Sequence, residues 1–360
     1  LGAVLHKVVF DGSVEYVQVM DENGNIDPAL FPKEVTDDTI LTMYRWMSLL
    51  RALDAKTLSL QRQGRAVTYA PSLGEEATQI GSGMAMREQD FFVPNFRQHG
   101  VYLVRGFPLD RLITYWRGYE EGTQMPDGFK GFPYIVPVAS QMPHASGIAF
   151  AQKYKKKDAA VVAYVGDGGT SEGDFYEAMN FSGVFKSPLV AIIENNQWAI
   201  SVPRSKQSAA VTLAQKGFAA GVKCVQVDGN DVIAVYKTVR DAIANAGDGP
   251  TLIECVTYRM SMHTTADDPT KYRDQAEVEL WKKRDPVDRI RKYLTSKGLW
   301  NESMESKMQE EQLKQVDDAV ELSEQFKPDP KSIFENVYSF MPQTLKDEYD
   351  DAVSNNFWQG

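Results

Sequence analysis

Apolar residues along the middle of the chain fall into two rhythms. Residues 159–165 (AAVVAYV) and 189–193 (LVAII) are short, almost unbroken apolar runs, the pattern of strands buried on both faces of a parallel sheet. Between them Phe175, Ala178, Met179, Ser182 and Phe185 recur at three-and-four spacing, one apolar face of a helix. Thr170 or Ser171 is its candidate N-cap, and Lys186-Ser187-Pro188 marks its end. Strand, helix and strand make a right-handed βαβ unit whose polar ends share one sheet edge, where ligands bind in such folds. Residues 250–256 (PTLIECV) predict another buried strand. Upstream, helical periodicity runs from Thr36-Asp37-Asp38 to Gly64, and Ser72-Leu73-Gly74-Glu75 fits a capping box opening a second helix.

The pattern divides the chain into three parts. Residues 1–35 mix short β-rich stretches (7–10 and 14–19) with turn signals such as Asp21-Glu22-Asn23-Gly24, so an extended N-terminal arm is expected, of the kind that packs on partners. Residues 36–290 read as an α/β domain, a parallel sheet flanked by helices. Residues 291–360 turn charged and helical, as in 304–326, and are expected to form a helical C-terminal extension for subunit contact. No internal repeat or low-complexity segment interrupts this order.

Composition narrows the classes. A chain of 360 residues with 43% hydrophobic content can bury a large core. A net charge of -10 argues against a nucleic-acid partner. The lysines clustered at 153–157 are read as capping the C-terminus of the helix at 145–150. No run of about 18 apolar residues suggests a membrane span. Cys224 and Cys255 lie in strand-like apolar contexts and are expected to be buried thiols, in keeping with a reducing compartment. The sequence begins at Leu1 without a signal-like apolar region, and a processed N-terminus stays open.

The chemistry sits where the two central strands end. Val165-Gly166-Asp167-Gly168-Gly169 closes the first and Glu194-Asn195-Asn196 closes the second. Asp167 and the Asn196 side-chain oxygen are hard ligands suited to magnesium or calcium. Gly168 and Gly169 permit close backbone approach, and the amides at the helix start favour an anion. Taken singly, a GDG turn is a weak signal that could merely end a strand. The spacing, the strand-helix-strand context and the second motif together specify a diphosphate held with a metal ion.

Gly166 to Pro203, GDGGTSEGDFYEAMNFSGVFKSPLVAIIENNQWAISVP, resembles the α subunit of the E1 component of the 2-oxo acid dehydrogenase complexes. The likeness extends upstream through SLQRQGRAVTYAPSLGEEATQIGSG, NFRQHG and ASQMPHASGIAF, and downstream through VQVDGND, GPTLIECVTYR and HTTADDPTKYR, covering residues 40–295. The resemblance implies a thiamine diphosphate-binding fold, thiamine diphosphate and Mg2+ as cofactors, and oxidative decarboxylation of a 2-oxo acid with acyl transfer to the lipoyl group of an E2 partner. It implies a separate E1 β subunit carrying the pyrimidine-binding half of the site, in an α2β2 heterotetramer. Only one α/β unit is present here, so the chain alone is expected to be inactive. The expected compartment is the cytoplasm of a bacterium or archaeon, or the mitochondrial matrix of a eukaryote.

By the same resemblance Asp167, Asn196 and the Trp198 carbonyl ligate the metal. Gly166, Gly168, Gly169 and Arg97 hold the diphosphate, and Val138 touches the cofactor through backbone or methyl. Arg97 suits that role because a guanidinium makes fork-shaped, charge-assisted bonds to phosphate. Phe96 stands where the family has Tyr, and a phenyl ring has no hydroxyl to donate. His263, in an irregular loop after a strand, is the catalytic candidate, an imidazole titrating near neutrality beside the reacting carbon. Arg259 and Asp267 are expected to order that loop by pairing. Thr264, Thr265 and Thr270 occupy a stretch phosphorylated in some eukaryotic relatives.

Of the other histidines, His6 reads as solvated in the arm and His144 as structural, in the first turn of a helix after Pro143, while His99 lies after a strand and before a loop turn, matches the family's YR-x-H-G pattern, and is assigned no role. Substrate cues divide. SLQRQGR followed by Tyr69-Ala70-Pro71, the short spacing from Gln124-Met125-Pro126 to Val138, and Glu194 resemble bacterial pyruvate dehydrogenases. MPHASG, HTTADDP and FENVYSFMPQTL resemble branched-chain enzymes. Pyruvate is favoured. A P-loop NTPase is argued against by the absence of GxxxxGK followed by Ser or Thr. A non-catalytic scaffold for a β partner conflicts with an intact Asp167/Asn196 pair, and a transketolase half-protein with CVTYRMSMHTTADDP.

Overall fold

Alternation along the two central strands gives the molecule its layers. Val162 and Tyr164 point into one apolar core, while Val161, Ala163 and Val165 point into another on the opposite face, as the period of two requires. The computed structural model describes residues 7–355 apart from 328 and 330. In chain order it runs β1 (Glu15–Val17), α1 (Asp37–Arg62), α2 (Glu76–Ala85), β2 (Phe91–Val93), α3 (His99–Val104), α4 (Leu109–Trp116), α5 (Gln141–Tyr154), β3 (Val161–Gly166) and α6 (Gly173–Phe185). There follow β4 (Leu189–Asn195), the small hairpin β5 (Trp198–Ala199) and β6 (Val202–Pro203), α7 (Arg204–Gln207), β7 (Lys223–Asp228), α8 (Val232–Ala244), β8 (Thr251–Val256), α9 (Gln275–Lys282), α10 (Pro286–Ser296) and α11 (Glu302–Gln325).

The six-stranded sheet has the order β1-β7-β8-β4-β3-β2, and every neighbouring pair is parallel. Helices α5 and α6 cover one face, and α1, α2 and α8 the other. Register places Gly166 beside Glu194 and Asn195 beside Val256. The polar residues that follow β3, β4 and β8 therefore gather at one edge.

Several local expectations change. Neither Thr170 nor Ser171 caps α6: Gly168–Ser171 is a single 3₁₀ turn, α6 starts at Gly173, and the Thr170 hydroxyl donates to the Asp167 carbonyl at 2.7 Å. Phe185 is 43% exposed rather than buried and packs edge-on to Phe150. The capping box at residues 72–75 does not form. The Ser72 amide and hydroxyl go instead to Asp54 and to the Arg97 carbonyl, while the Glu76 carboxylate takes the Gly74 amide at the true start of α2. Lys153 caps the neighbouring helix, its ammonium lying on the Phe185 and Lys186 carbonyls at the end of α6.

Within the expected arm, Glu15–Val17 joins the sheet as its edge strand beside β7. Val19 and Met20 are buried, and their amides both donate to Asp231, whose other oxygen caps α8. His6 lies outside the described residues. Of the expected C-terminal extension, α11 docks on the core: it buries Met308, Val316 and Val320, and Gln312 bonds both Ser48 and the Arg45 carbonyl of α1. Cys224 and Cys255 are free thiols, the second fully buried. Among the described residues no helix is long and apolar enough to cross a membrane.

Candidate active site

A cavity of about 280 Å³ opens at the C-terminal edge of β3 and β4, and Gly166, Asp167, Gly168, Asn196, Arg97 and His263 are among its walls. The sequence-predicted residues thus come together from the segments that follow four different strands, β2, β3, β4 and β8. The glycines differ in what they permit. A Cβ at Gly168 would stand 2.8 Å from the Ala199 Cβ, and one at Gly169 would stand 2.6 Å from Val165 Cγ2. These two are needed for the protein's own packing. A Cβ at Gly166 would meet no protein atom within 4 Å, so that glycine leaves cavity space open.

Asp167 is buried, and its Oδ2 has no hydrogen-bond partner among the described residues. Burial pushes its carboxyl up to about 6. A buried carboxylate oxygen without a donor costs folding free energy and marks a place built for something else. Asn196 donates from Nδ2 to Glu75 Oε1 at 3.0 Å, and its Oδ1 accepts the Trp198 amide at 3.2 Å. The Trp198 carbonyl accepts from Arg259 Nη1 at 3.0 Å. Each of these two oxygens keeps a second lone pair. Among the described residues no group of three or more His, Cys, Asp or Glu could hold a metal; one carboxylate, one amide and one backbone carbonyl form a different kind of ligand set, of hard oxygens only.

Arg97 is held on all sides. Nη1 donates to the Pro71 carbonyl at 2.6 Å, Nη2 to the His263 carbonyl at 3.1 Å, and Nε faces Glu75 Oε1 at 3.6 Å. Its guanidinium lies over the Phe96 ring, which meets His263 edge-on. Glu75 is pushed up to about 7 by burial, against the pull of Arg97. Glu194 is driven well above the usual carboxylate range by burial and then by the charge of Glu75; Gln98 Nε2 donates to its Oε2, and Oε1 has no partner among the described residues.

His263 departs from expectation. Its Nδ1 faces Arg97 Nη2 at 3.2 Å and Arg259 Nη1 at 3.4 Å. Guanidinium nitrogens only donate, so Nδ1 must accept and the proton sits on Nε2. Burial first, then the two guanidiniums, lower its pKa to about 3. An imidazole titrating near neutrality is therefore replaced by a neutral ring with one N–H to offer. The expected Arg259–Asp267 pair is also indirect. Arg259 Nη2 donates to the Tyr272 hydroxyl at 2.9 Å, and that hydroxyl donates to Asp267 Oδ2, which also takes the His263 amide at 2.7 Å. Arg273 adds bonds to the Met260 and Ser261 carbonyls.

Val138 is 55% exposed and separates the cavity from an adjoining apolar recess of about 460 Å³ with Val67, Trp116 and Val136 in its walls. His144 is exposed and bonds the Ser140 carbonyl within α5. His99 does not precede a loop turn; it opens α3 and is buried. Sequence reasoning gave no role to Gln98, Tyr272 or Arg273, and to Glu75 only that of a helix cap. The one local signal was the acidic pair Glu75-Glu76 at the head of a helix whose other residues are all uncharged.

Residues 44–331 match the family described as the dehydrogenase E1 component. Over 336 residues the chain is 43% identical to a pyruvate dehydrogenase E1 component subunit alpha of Acholeplasma laidlawii, covering 92% of this chain and 97% of the relative. A protein of the same name from Staphylococcus aureus (strain Mu50) is 42% identical over 340 residues, 93% of this chain and 92% of the relative. Another, from Staphylococcus epidermidis, is 41% identical over the same length and the same shares.

Proposed function

The chain belongs to the dehydrogenase E1 component family, whose members depend on thiamine diphosphate, and on that premise we propose that it is the α subunit of a pyruvate dehydrogenase, active only with a β subunit. The relatives named above carry pyruvate in their names, so the branched-chain alternative is set aside. The observation that carries the reading is the partnerless buried Oδ2 of Asp167, which lines a cavity beside glycines and an arginine.

When bound, thiamine diphosphate supplies the electron sink for loss of carbon dioxide from the 2-oxo acid. This chain contributes position and charge. Asp167 Oδ2, Asn196 Oδ1 and the Trp198 carbonyl would hold Mg2+. Glu75 sets that geometry by accepting from Asn196 Nδ2, which fixes the amide so that the second lone pair of its oxygen, beside the one taken by the Trp198 amide, is left for the metal. Arg97 and the turn at Gly168–Gly169 would bind the diphosphate, with Gly166 leaving it room. His263, neutral and protonated on Nε2, would donate a hydrogen bond to a carboxylate or a developing oxyanion. Arg259, Tyr272 and Asp267 hold the loop that carries it. Val136, Val138, Ile200 and Val202 leave an apolar rim, each more than 40% exposed, for the β subunit to cover as it brings the pyrimidine half-site. The acyl group would then pass to the lipoyl group of an E2 component.

The test is calorimetric. The chain is co-expressed with its β partner and titrated with thiamine diphosphate and Mg2+, alongside Asp167→Ala. Saturable, Mg2+-dependent binding that vanishes in the variant is expected; equal binding by both proteins would remove Asp167 from the metal site. Comparison of kcat/KM for pyruvate and for a branched 2-oxo acid decides the substrate.

A further inference from the structure

Residues 69–72 form a short strap between the head of α3 and the His263 loop, and each of the four is committed at its backbone. The Tyr69 carbonyl accepts the Thr265 amide at 2.9 Å, and the Tyr69 amide donates to the Thr265 hydroxyl at 3.2 Å. The Ala70 carbonyl accepts from His99 Nε2 at 2.8 Å. Pro71 offers its carbonyl to Arg97 Nη1, and the Ser72 amide donates to Asp54 Oδ2 at 2.7 Å. One side of the strap thus faces the two residues the site uses most, Arg97 and the His263 loop. The other side rests on buried groups with no place in the chemistry.

His99 is the centre of those buried groups. Its Nε2 can only be a donor, because it points at a carbonyl. Its Nδ1 therefore accepts, and the Tyr134 hydroxyl, 2.6 Å away, must donate. The ring stacks on Tyr69 at 5.0 Å, and Tyr69 donates its hydroxyl to Asp54 Oδ1 at 2.6 Å. His99 and Asp54 are almost wholly excluded from solvent. Fully satisfied polar groups at such depth fix one geometry, since any displacement leaves a buried donor or acceptor without a partner.

We propose that His99, with Tyr134 and Asp54, is a positioning residue that holds the strap at 69–72 and, through it, sets both the Arg97 guanidinium and the His263 loop. The functional consequence rests on the diphosphate reading of Arg97; the mechanical one does not. A buried histidine with only a packing role would destabilise the whole domain when replaced. A positioning residue loosens one strap and one distant loop while leaving the sheet intact.

The test uses the complex co-expressed with the β subunit, first without cofactor. Hydrogen–deuterium exchange is followed in peptides covering 67–73, 261–267 and, as a control, 161–166. In His99→Leu the first two are expected to exchange about tenfold faster or more, the effect of losing roughly one buried hydrogen bond, with the control unchanged. His99→Gln, whose amide can still donate to the Ala70 carbonyl, should restore most of the protection. If His99→Leu fails to fold, Tyr134→Phe removes only the hydroxyl and should loosen the same two peptides. Unchanged exchange in both peptides, or equal acceleration in all three, overturns the proposal. Thiamine diphosphate and Mg2+ are then titrated. Weaker binding by about tenfold in His99→Leu, rescued by Gln, is expected. Absence of binding by the unsubstituted complex would defeat the cofactor reading and leave the exchange result standing.

Discussion

His263 Nδ1 and Arg97 Nη2 face each other at 3.2 Å, and because a guanidinium nitrogen never accepts, this one contact fixes the tautomer and the charge of the candidate catalytic histidine. Two cations cannot share that distance in a partly buried site without large cost. The neutral Nε2–H form follows from the neighbours rather than from the imidazole itself.

The pH consequence has a definite sign. The folded pKa of His263 is lowered to about 3 from an ordinary 6.5, so below 6.5 the unfolded chain binds a proton that the folded chain refuses. Stability from this group is present above pH 6.5 and is lost as pH falls toward 3. His99, also lowered to about 3 by burial, acts in the same direction. NMR of the ligand-free complex should find His263 untitrated between pH 5 and 8, and His263→Gln should lessen the fall of Tm on acidification. A His263 midpoint near 6.5 would refute the assigned tautomer.

Asp167→Asn should have opposite effects with and without ligands. Without them it replaces a buried, partnerless carboxylate oxygen by a neutral group, and stability should rise by roughly 1–2 kcal/mol. With Mg2+ and thiamine diphosphate the variant should lose the Tm gain that ligand binding gives the parent. Paired melts, with and without ligands, read both signs; a lower ligand-free Tm would mean that the carboxylate is satisfied.

Neighbouring glycines should separate packing from ligand space. Gly168→Ala forces a Cβ to 2.8 Å from that of Ala199 and should cost about 1–3 kcal/mol in denaturant melts. Gly166→Ala meets no protein atom within 4 Å and should melt like the parent, while thiamine diphosphate binds more weakly. Equal loss of stability in both would contradict the open space at 166.

Tyr272→Phe removes the hydroxyl that joins Arg259 to Asp267. Loss of two linked bonds, each about 1 kcal/mol net, should loosen residues 260–267 and lower kcat with little change in Tm. Proteolysis within that loop of the ligand-free complex should become faster than in the parent. Resistance equal to the parent would show that Arg273 alone suffices to hold it.

Sequence alone determined a great deal here. Buried strands at residues 159–165 and 189–193, the helix between them and the polar ends at Asp167 and Asn196 were all legible, because side-chain period and strand-end chemistry are local. Quoted motifs also carried the family. The start of α6 was misplaced because Thr170, a good N-cap in isolation, is drawn to the Asp167 carbonyl. Tertiary structure alone decided the rest. Glu75 reaches Asn196 across 121 positions, and Arg97 reaches His263 across 166; no local pattern encodes such contacts. The charge of His263, the indirect link from Arg259 to Asp267, and the docking of the N-terminal strand on β7 all arise from what folding brings alongside. Desolvation and through-space charge depend on neighbours in space, and those exist only once the chain has closed on itself.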